Sequence, residues 1–268
     1  MKIEQPFDLE ELHYTLQKGM YFSDRIEIKT GEVLYYSRYI KNSFWNYLSR
    51  ISAGSVDEFA ALVQQTIPVF DRINRKPAYY INRKSALFPL LSRETLSKLH
   101  LRPAFSDAWF KTSLCSRKLL YQLPIKRITS REAGEMFLNI YREGSEDAVL
   151  PNEYGEAVSR SVGLDNRRNF LHFVHTDSES AEPDAFVTVI LQNTLVGLYN
   201  VGVKYQRQGT GIGTKFLESV LSRCKEFGID YVFLQAEFGS KTEAWYKKRG
   251  FTKVCDYTCF EYDKERIK

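Results

Sequence analysis

Nine consecutive residues combine what an anion-binding turn needs: Tyr205, Gln206, Arg207, Gln208, Gly209, Thr210, Gly211, Ile212 and Gly213. Three glycines in five positions let the backbone turn sharply and let a ligand reach the amides without interference from side chains. A helical pattern follows, and the first amides of a helix are unpaired and lie at the positive end of its dipole. A pyrophosphate suits such a place. Two nucleotide readings fail on spacing. A dinucleotide fold calls for G-x-G-x-x-G early in a parallel βαβ unit, with an acidic residue roughly 20 positions later. Gly209-Thr-Gly211-Ile-Gly213 is instead G-x-G-x-G, late in the chain, after strands that read as antiparallel. Gly213-Thr214-Lys215 places the threonine and lysine in the wrong order for a P-loop.

The loop is predicted to join a strand, Leu195–Val203, to a helix, Gly211–Phe227. In that helix Ile212, Phe216, Leu217, Val220, Leu221, Cys224 and Phe227 share one face, and Gly228 is placed as a C-cap. Upstream, Leu123–Ile128 reads as a strand. Thr129–Glu132 has capping-box spacing before the helical stripe Ala133, Met136, Phe137, Ile140 and Tyr141. A shorter helix, Pro151–Val162, follows the loop Gly144–Leu150. Phe170–His175 and Ala185–Leu191 are two further strands, with turns at Asp177–Asp184 and Gln192–Thr194. Downstream come a compact apolar strand, Tyr231–Gln235, a helix near Thr242–Arg249, and strand-like Val254–Tyr262.

The first half echoes this order. Val56, Phe59, Val63, Ile67, Phe70 and Ile73 mark a helix that Pro68 should bend or divide. Pro77–Ile81 follows as a strand, Ser92–His100 as a short helix, Arg102–Phe105 as a turn and Ala108–Thr112 as a strand. That is the succession of Gly211–Tyr262, and it points to a diverged duplication joined near Gln122–Pro124.

Gln206-Arg-Gln-Gly209-Thr-Gly211 resembles the Q/R-x-x-G-x-G/A signature of the GNAT superfamily of acyl-CoA-dependent N-acyltransferases. The strand Leu198–Val203 is similar to the one that leads into that signature, and Tyr246-Lys-Lys-Arg-Gly250-Phe251 resembles the family's Y-x-x-x-G-F ending. The likeness covers about Leu123–Tyr262. It implies an α/β (α+β) fold: residues 124–268 as a three-layer catalytic domain around a mixed, largely antiparallel, splayed sheet. Residues 1–123 resemble the degenerate first domain of tandem members and carry no coenzyme motif.

The resemblance also implies roles. Acetyl-CoA is the expected cosubstrate. Amides from Arg207 to Gly213 would cradle its pyrophosphate, supplemented by the Thr214 hydroxyl. Val201 and Val203 would pair with the pantetheine arm through their main chains, and a strand amide such as that of Val201 would hold the oxyanion. Tyr246 would protonate the departing thiolate, since a phenol with its ordinary pKa, about 10, keeps its proton at neutral pH. The family's asparagine before that tyrosine is missing; Ser240 takes over its contact or the contact is absent. The base for the amine is left between Glu237 and Glu153, while Asn200 could only orient a water.

Composition sets the outer limits. The chain has 268 residues, enough for two domains, and with 43% hydrophobic and 26% charged residues it can bury a core. No apolar run reaches the roughly 20 residues of a membrane span, and the acidic N-terminus reads as no signal peptide, so a cytoplasmic protein is expected. Cys115, Cys224, Cys255 and Cys259 form no disulfide framework. His172 and His175 should face opposite sides of their strand, and no metal is expected. From Asp71 to Arg102 eight basic and two acidic residues leave a balance of +6. This reads as a solvated face first and as a surface for an acidic partner second, with nucleic acid an unfavoured partner. The function expected is acetyl transfer to a primary amine, preferably of a small molecule, by a monomer or homodimer. The alternatives are a non-catalytic CoA-binding module and an acyltransferase acting on protein or RNA-bound amines.

Overall fold

A computed structural model describes residues 6–115, 117–118, 123–142, 150–162, 164, 169–178 and 182–263. Most of the expected loop Gly144–Leu150 lies outside them. The first half of the chain contributes α1 (Pro6–Gln17), β1 (Asp24–Glu27), β2 (Val33–Tyr36), β3 (Tyr47–Ser49), α2 (Val56–Arg72), β4 (Ala78–Asn82), α3 (Arg93–Lys98) and β5 (Leu101–Ser113). The second contributes β6 (Lys126–Ile128), α4 (Ala133–Arg142), α5 (Asn152–Val162), β7 (Asn169–His175), β8 (Ala185–Gln192) and β9 (Leu195–Val203). It ends with α6 (Ile212–Glu226), β10 (Tyr231–Glu237), α7 (Lys241–Lys248) and β11 (Thr252–Tyr262). Two expectations change. Pro68 does not divide α2, which runs through it, and the expected turn Arg102–Phe105 is the first part of the thirteen-residue β5.

The chain forms two compact units, Met1–Phe110 with Gln235–Lys268, and Lys111–Leu234. In the second, β6, β7, β8 and β9 pair antiparallel in succession. β10 joins β9 in parallel, from Leu195↔Tyr231 to Leu198↔Leu234. β7 and β8 are almost entirely buried, which is why they read as apolar runs rather than alternating ones. Helices α4 and α5 cross at two glycines: a Cβ on Gly134 would lie 2.1 Å from the carbonyl oxygen of Gly155. Ser159 ties the pair further by donating to Arg131 O at 2.6 Å. Gly134→Ala should therefore lower the melting temperature by several degrees, because overpacking costs about 1–3 kcal/mol. An unchanged melt would mean that the helices separate without strain.

In the first unit, β1, β2 and β3 pair antiparallel, β4 joins β3 in parallel at Leu48↔Tyr79, and β11 pairs antiparallel with β4. The apolar face of α2 (Phe59, Leu62, Val63, Phe70) packs on Tyr79, Ile81, Phe260 and Tyr262. Helix α1 buries three polar side chains, Glu10, His13 and Gln17, beside Leu9, Leu12, Tyr14 and Leu16. Glu10 accepts from the Ser49 hydroxyl and from Arg50 N at 3.2 Å. Asp107 accepts from Tyr80 Oη at 2.9 Å and from Gln235 Nε2 at 3.0 Å. Burial pushes both carboxyls up to about 7. An acid held protonated in this way stabilises the fold at low pH and loses that contribution as the pH rises to about 7. Burial pushes His13 and His172 down to about 3 and about 4, with the opposite sign below the ordinary histidine pKa. Melts of wild type against Asp107→Asn isolate the carboxyl. The stability difference should favour wild type most near pH 4, decline through pH 7 and level off above it. A difference constant with pH would show that Asp107 ionises normally.

Candidate active site

After β9 the chain makes a 3-10 turn, Tyr205–Arg207, in which Arg207 N and Gln208 N donate to Lys204 O and Tyr205 O at 2.9 and 3.0 Å. Gly209 and Gly211 follow with φ of 78° and 88°, a left-handed region that side chains disfavour. Gly211 caps α6 without any side-chain hydrogen bond, and the first turn of α6 holds no acidic residue. The first amides of the helix to be bonded are Thr214 N and Lys215 N, both donating to Gly211 O at 3.1 Å. Among the described residues, the amides of Gly209, Thr210, Gly211, Ile212 and Gly213 therefore meet no protein acceptor. All five lie at the N-terminal, positive end of a fifteen-residue helix. Of the amides expected to cradle a pyrophosphate, the protein itself uses those of Arg207 and Gln208.

Side chains fix the loop. Thr210 Oγ1 donates to Arg207 O at 2.7 Å, and Gln208 Nε2 to Val203 O at 3.2 Å. The Arg207 guanidinium pairs with Asp177 and lies 3.7 Å from Asp184. Asp184 is itself anchored: its amide donates to His175 O at 2.8 Å, and its carbonyl accepts from Lys204 N at 2.9 Å. Arg207 thus clamps the loop to the β7–β8 turn, a role that the spacing of the motif does not disclose.

The contrast with α2 is direct. There Ser55 caps the helix by accepting from Glu58 N, Glu58 accepts from Gly54 N at 2.8 Å, and Asp57 and Glu58 fill the first turn. A side-chain cap takes up one of its first amides, and its carboxylates repel an anion.

Strand β9 carries the second feature. Its ladder with β8 pairs Tyr199 with Thr188 and Gly202 with Phe186, so Asn200 and Val201 together oppose Val187 in a bulge. Asn200 has φ 54°. The parallel ladder to β10 spans only Leu195–Leu198. In this unit, Tyr199–Val203 therefore pair on the β8 side, and an extended ligand could pair along the other. Gly202 admits α4: a Cβ there would lie 3.1 Å from Ile140. Glu153 stands half-buried in the first turn of α5. Cys224 is buried on α6 and its thiol is pushed up to about 12, which excludes it as a nucleophile.

The remaining candidates belong to the first unit. Tyr246 on α7 is 4% exposed, with its ring 4.9 Å from Trp245, 5.4 Å from Phe251 and 6.5 Å from Phe110. Ser240 caps α7. It accepts from Glu243 N at 3.1 Å and spends its proton on Glu237 O at 2.7 Å. Burial alone would raise the Glu243 carboxyl, but the Lys247 ammonium and the Gly239 amide outweigh it and hold the group below the usual range. Glu237 is exposed. The basic run is largely engaged: Lys76 and Arg102 pair with Glu261, Lys98 with Glu94, and Arg75 donates to Ser37 O. Arg83 stacks over Phe88 and Phe238.

Among the described residues, no cluster of three or more His, Cys, Asp or Glu could hold a metal ion, and no helix is long and apolar enough to cross a membrane. No family model and no curated protein matches the sequence. Solved structures do. A functionally unknown conserved protein from Staphylococcus epidermidis matches at TM-score 0.67 and 12% identity, over 90% of this chain and 94% of its own. A GCN5-related N-acetyltransferase from Kribbella flavida matches at TM-score 0.62 and 10% identity, over 98% and 96%. A tandem GNAT protein from the clavulanic acid biosynthesis pathway matches at TM-score 0.55 and 11% identity, over 86% and 78%. At these identities the likeness is one of architecture: the protein has the mixed α/β, largely antiparallel fold of the GNAT acetyltransferases.

Proposed function

We propose that the protein is an acyltransferase that binds acetyl-CoA at the N-terminus of α6 and transfers the acetyl group to the primary amine of a small molecule. The observation that carries this reading is the set of five unpartnered amides from Gly209 to Gly213, at a helix start without acidic residues. A pyrophosphate satisfies them and gains from the helix dipole. Thr214 supplements the cradle, and Val201 and Val203 offer main-chain partners to the pantetheine arm. The amine attacks the thioester carbonyl, the Val201 amide holds the developing oxyanion, and Tyr246 returns a proton to the thiolate. Glu237 or Glu153 serves as the base; Glu237 is the more exposed and Glu153 the more enclosed. Ser240 acts as the cap that orients α7.

The first 123 residues are, in this reading, a diverged copy of residues 124–268. Both halves run helix, strand, helix, strand, as α2–β4–α3–β5 and α6–β10–α7–β11. Both place a left-handed residue two positions past the last parallel pair: Arg50 after Leu48, and Asn200 after Leu198. The capped, acidic start of α2 then leaves one coenzyme site per chain. The direct test is thiol release from acetyl-CoA with lysate divided into small-molecule and macromolecular fractions. Acceptor activity confined to the small molecules supports the reading. Activity confined to macromolecules overturns the acceptor class, and thiol release absent with every fraction overturns acyl transfer itself.

A further inference from the structure

Behind the β9 bulge runs a chain of buried polar side chains whose proton directions are determined. Ser161 Oγ lies 2.7 Å from Val158 O, a carbonyl that can only accept, so the serine proton is spent there. Ser161 must then accept from His172 Nε2, 2.9 Å away. A neutral imidazole has one N–H, so His172 Nδ1 accepts from Thr188 Oγ1 at 3.0 Å. With its proton used, Thr188 accepts from Asn200 Nδ2 at 3.0 Å. Each link thus fixes the next, from α5 through β7 and β8 to the bulge on β9. Ser161, His172 and Thr188 are 0%, 1% and 0% exposed, and His172 also stacks on Phe186 with ring centroids 5.8 Å apart. Burial, with Arg127 nearby, keeps the imidazole neutral at physiological pH, as this direction of donation requires.

The chain ends on the residue that needs holding. Asn200 has φ 54°, a conformation that asparagine tolerates better than most residues but that still requires support. The peptide that follows it carries the Val201 amide. We infer that Ser161, His172, Thr188 and Asn200 form a positioning relay that locks the β9 bulge and so aims the Val201 N–H at the reacting carbonyl. This rests on the acyl-transfer reading above and adds a set of residues that themselves touch no substrate. A rigidly aimed donor matters because oxyanion stabilisation depends on a fixed direction, and removal of one donor costs about 10²–10³ in turnover.

Thr188→Val keeps the shape of the side chain and deletes both of its hydrogen bonds, and Thr188→Ser restores them. The valine variant should lose at least about tenfold in kcat, in line with a misdirected donor. Its calorimetric Kd for acetyl-CoA should change far less than kcat, because the α6 loop proposed to hold the pyrophosphate is untouched. The serine variant should recover most of the turnover. Asn200→Gly accepts the left-handed backbone without the bond to Thr188, so it reads the relay even if Thr188→Val fails to fold, and it should show the same loss in kcat alone. Wild-type kcat in a folded Thr188→Val chain, or in Asn200→Gly, overturns the relay. An equal loss of acetyl-CoA affinity also overturns it, by showing a general structural role. Absence of acetyl transfer by the wild type overturns the acyltransferase reading instead, a result told apart by the unmutated chain.

Discussion

Gly211→Glu should abolish acetyl-CoA binding, with no heat of binding in calorimetry, while the variant still folds and melts only a few degrees below wild type. Two features separate the effects. A Cβ at Gly211 meets nothing within 4 Å, so the side chain displaces no neighbour, and the left-handed φ of 88° costs about 1–2 kcal/mol. That is small against the stability of a folded domain. The carboxylate, however, sits among the amides of Gly209–Gly213, where it takes up the donors meant for a phosphate and adds like charge. A unit charge about 4 Å from another costs on the order of 4 kcal/mol near a protein surface, close to a thousandfold in Kd. Gly211→Gln has the same size and strain without the charge and should bind weakly rather than not at all. Unchanged binding by Gly211→Glu would place the coenzyme elsewhere and remove the loop from the site.

The parts of this site that were legible in the sequence are those where local chemistry decides the backbone. Glycines between an apolar strand and an amphipathic helix specify an open helix start, and β9 spans the expected residues Leu195–Val203. The parts that were hidden depend on partners distant in sequence. The Arg207 clamp needs Asp177 and Asp184, and the relay behind Asn200 needs side chains from α5, β7 and β8. An asparagine inside an otherwise apolar strand was the one local signal of the bulge, since asparagine is among the few residues that accept positive φ. In the first unit α1 buries Glu10, His13 and Gln17 beside Leu9, Leu12, Tyr14 and Leu16, so polar side chains interrupt the apolar pattern by which a helix is read. The pairing of the last strand was also beyond reach. β11 pairs with β4 across more than 170 residues, and nothing local to Thr252–Tyr262 names that partner.

Tyr246→Phe should lower kcat by about a hundredfold and leave the Kd for acetyl-CoA within about twofold, because a positioned general acid contributes roughly 10²–10⁴. The variant is a clean one. The ring of Tyr246 packs against Trp245, Phe251 and Phe110, and phenylalanine preserves those contacts, so α7 and its Ser240 cap should stay in place. Loss of the hydroxyl is then the whole perturbation. An acid acts on the leaving group, so the defect should shrink with an acetyl thioester whose thiol has a lower pKa than coenzyme A and needs less help to depart. A ring that merely supported the fold would instead depress both donors equally and lower the melting temperature as well. Unchanged turnover with acetyl-CoA would remove Tyr246 from the mechanism and leave the thiolate to take its proton from water.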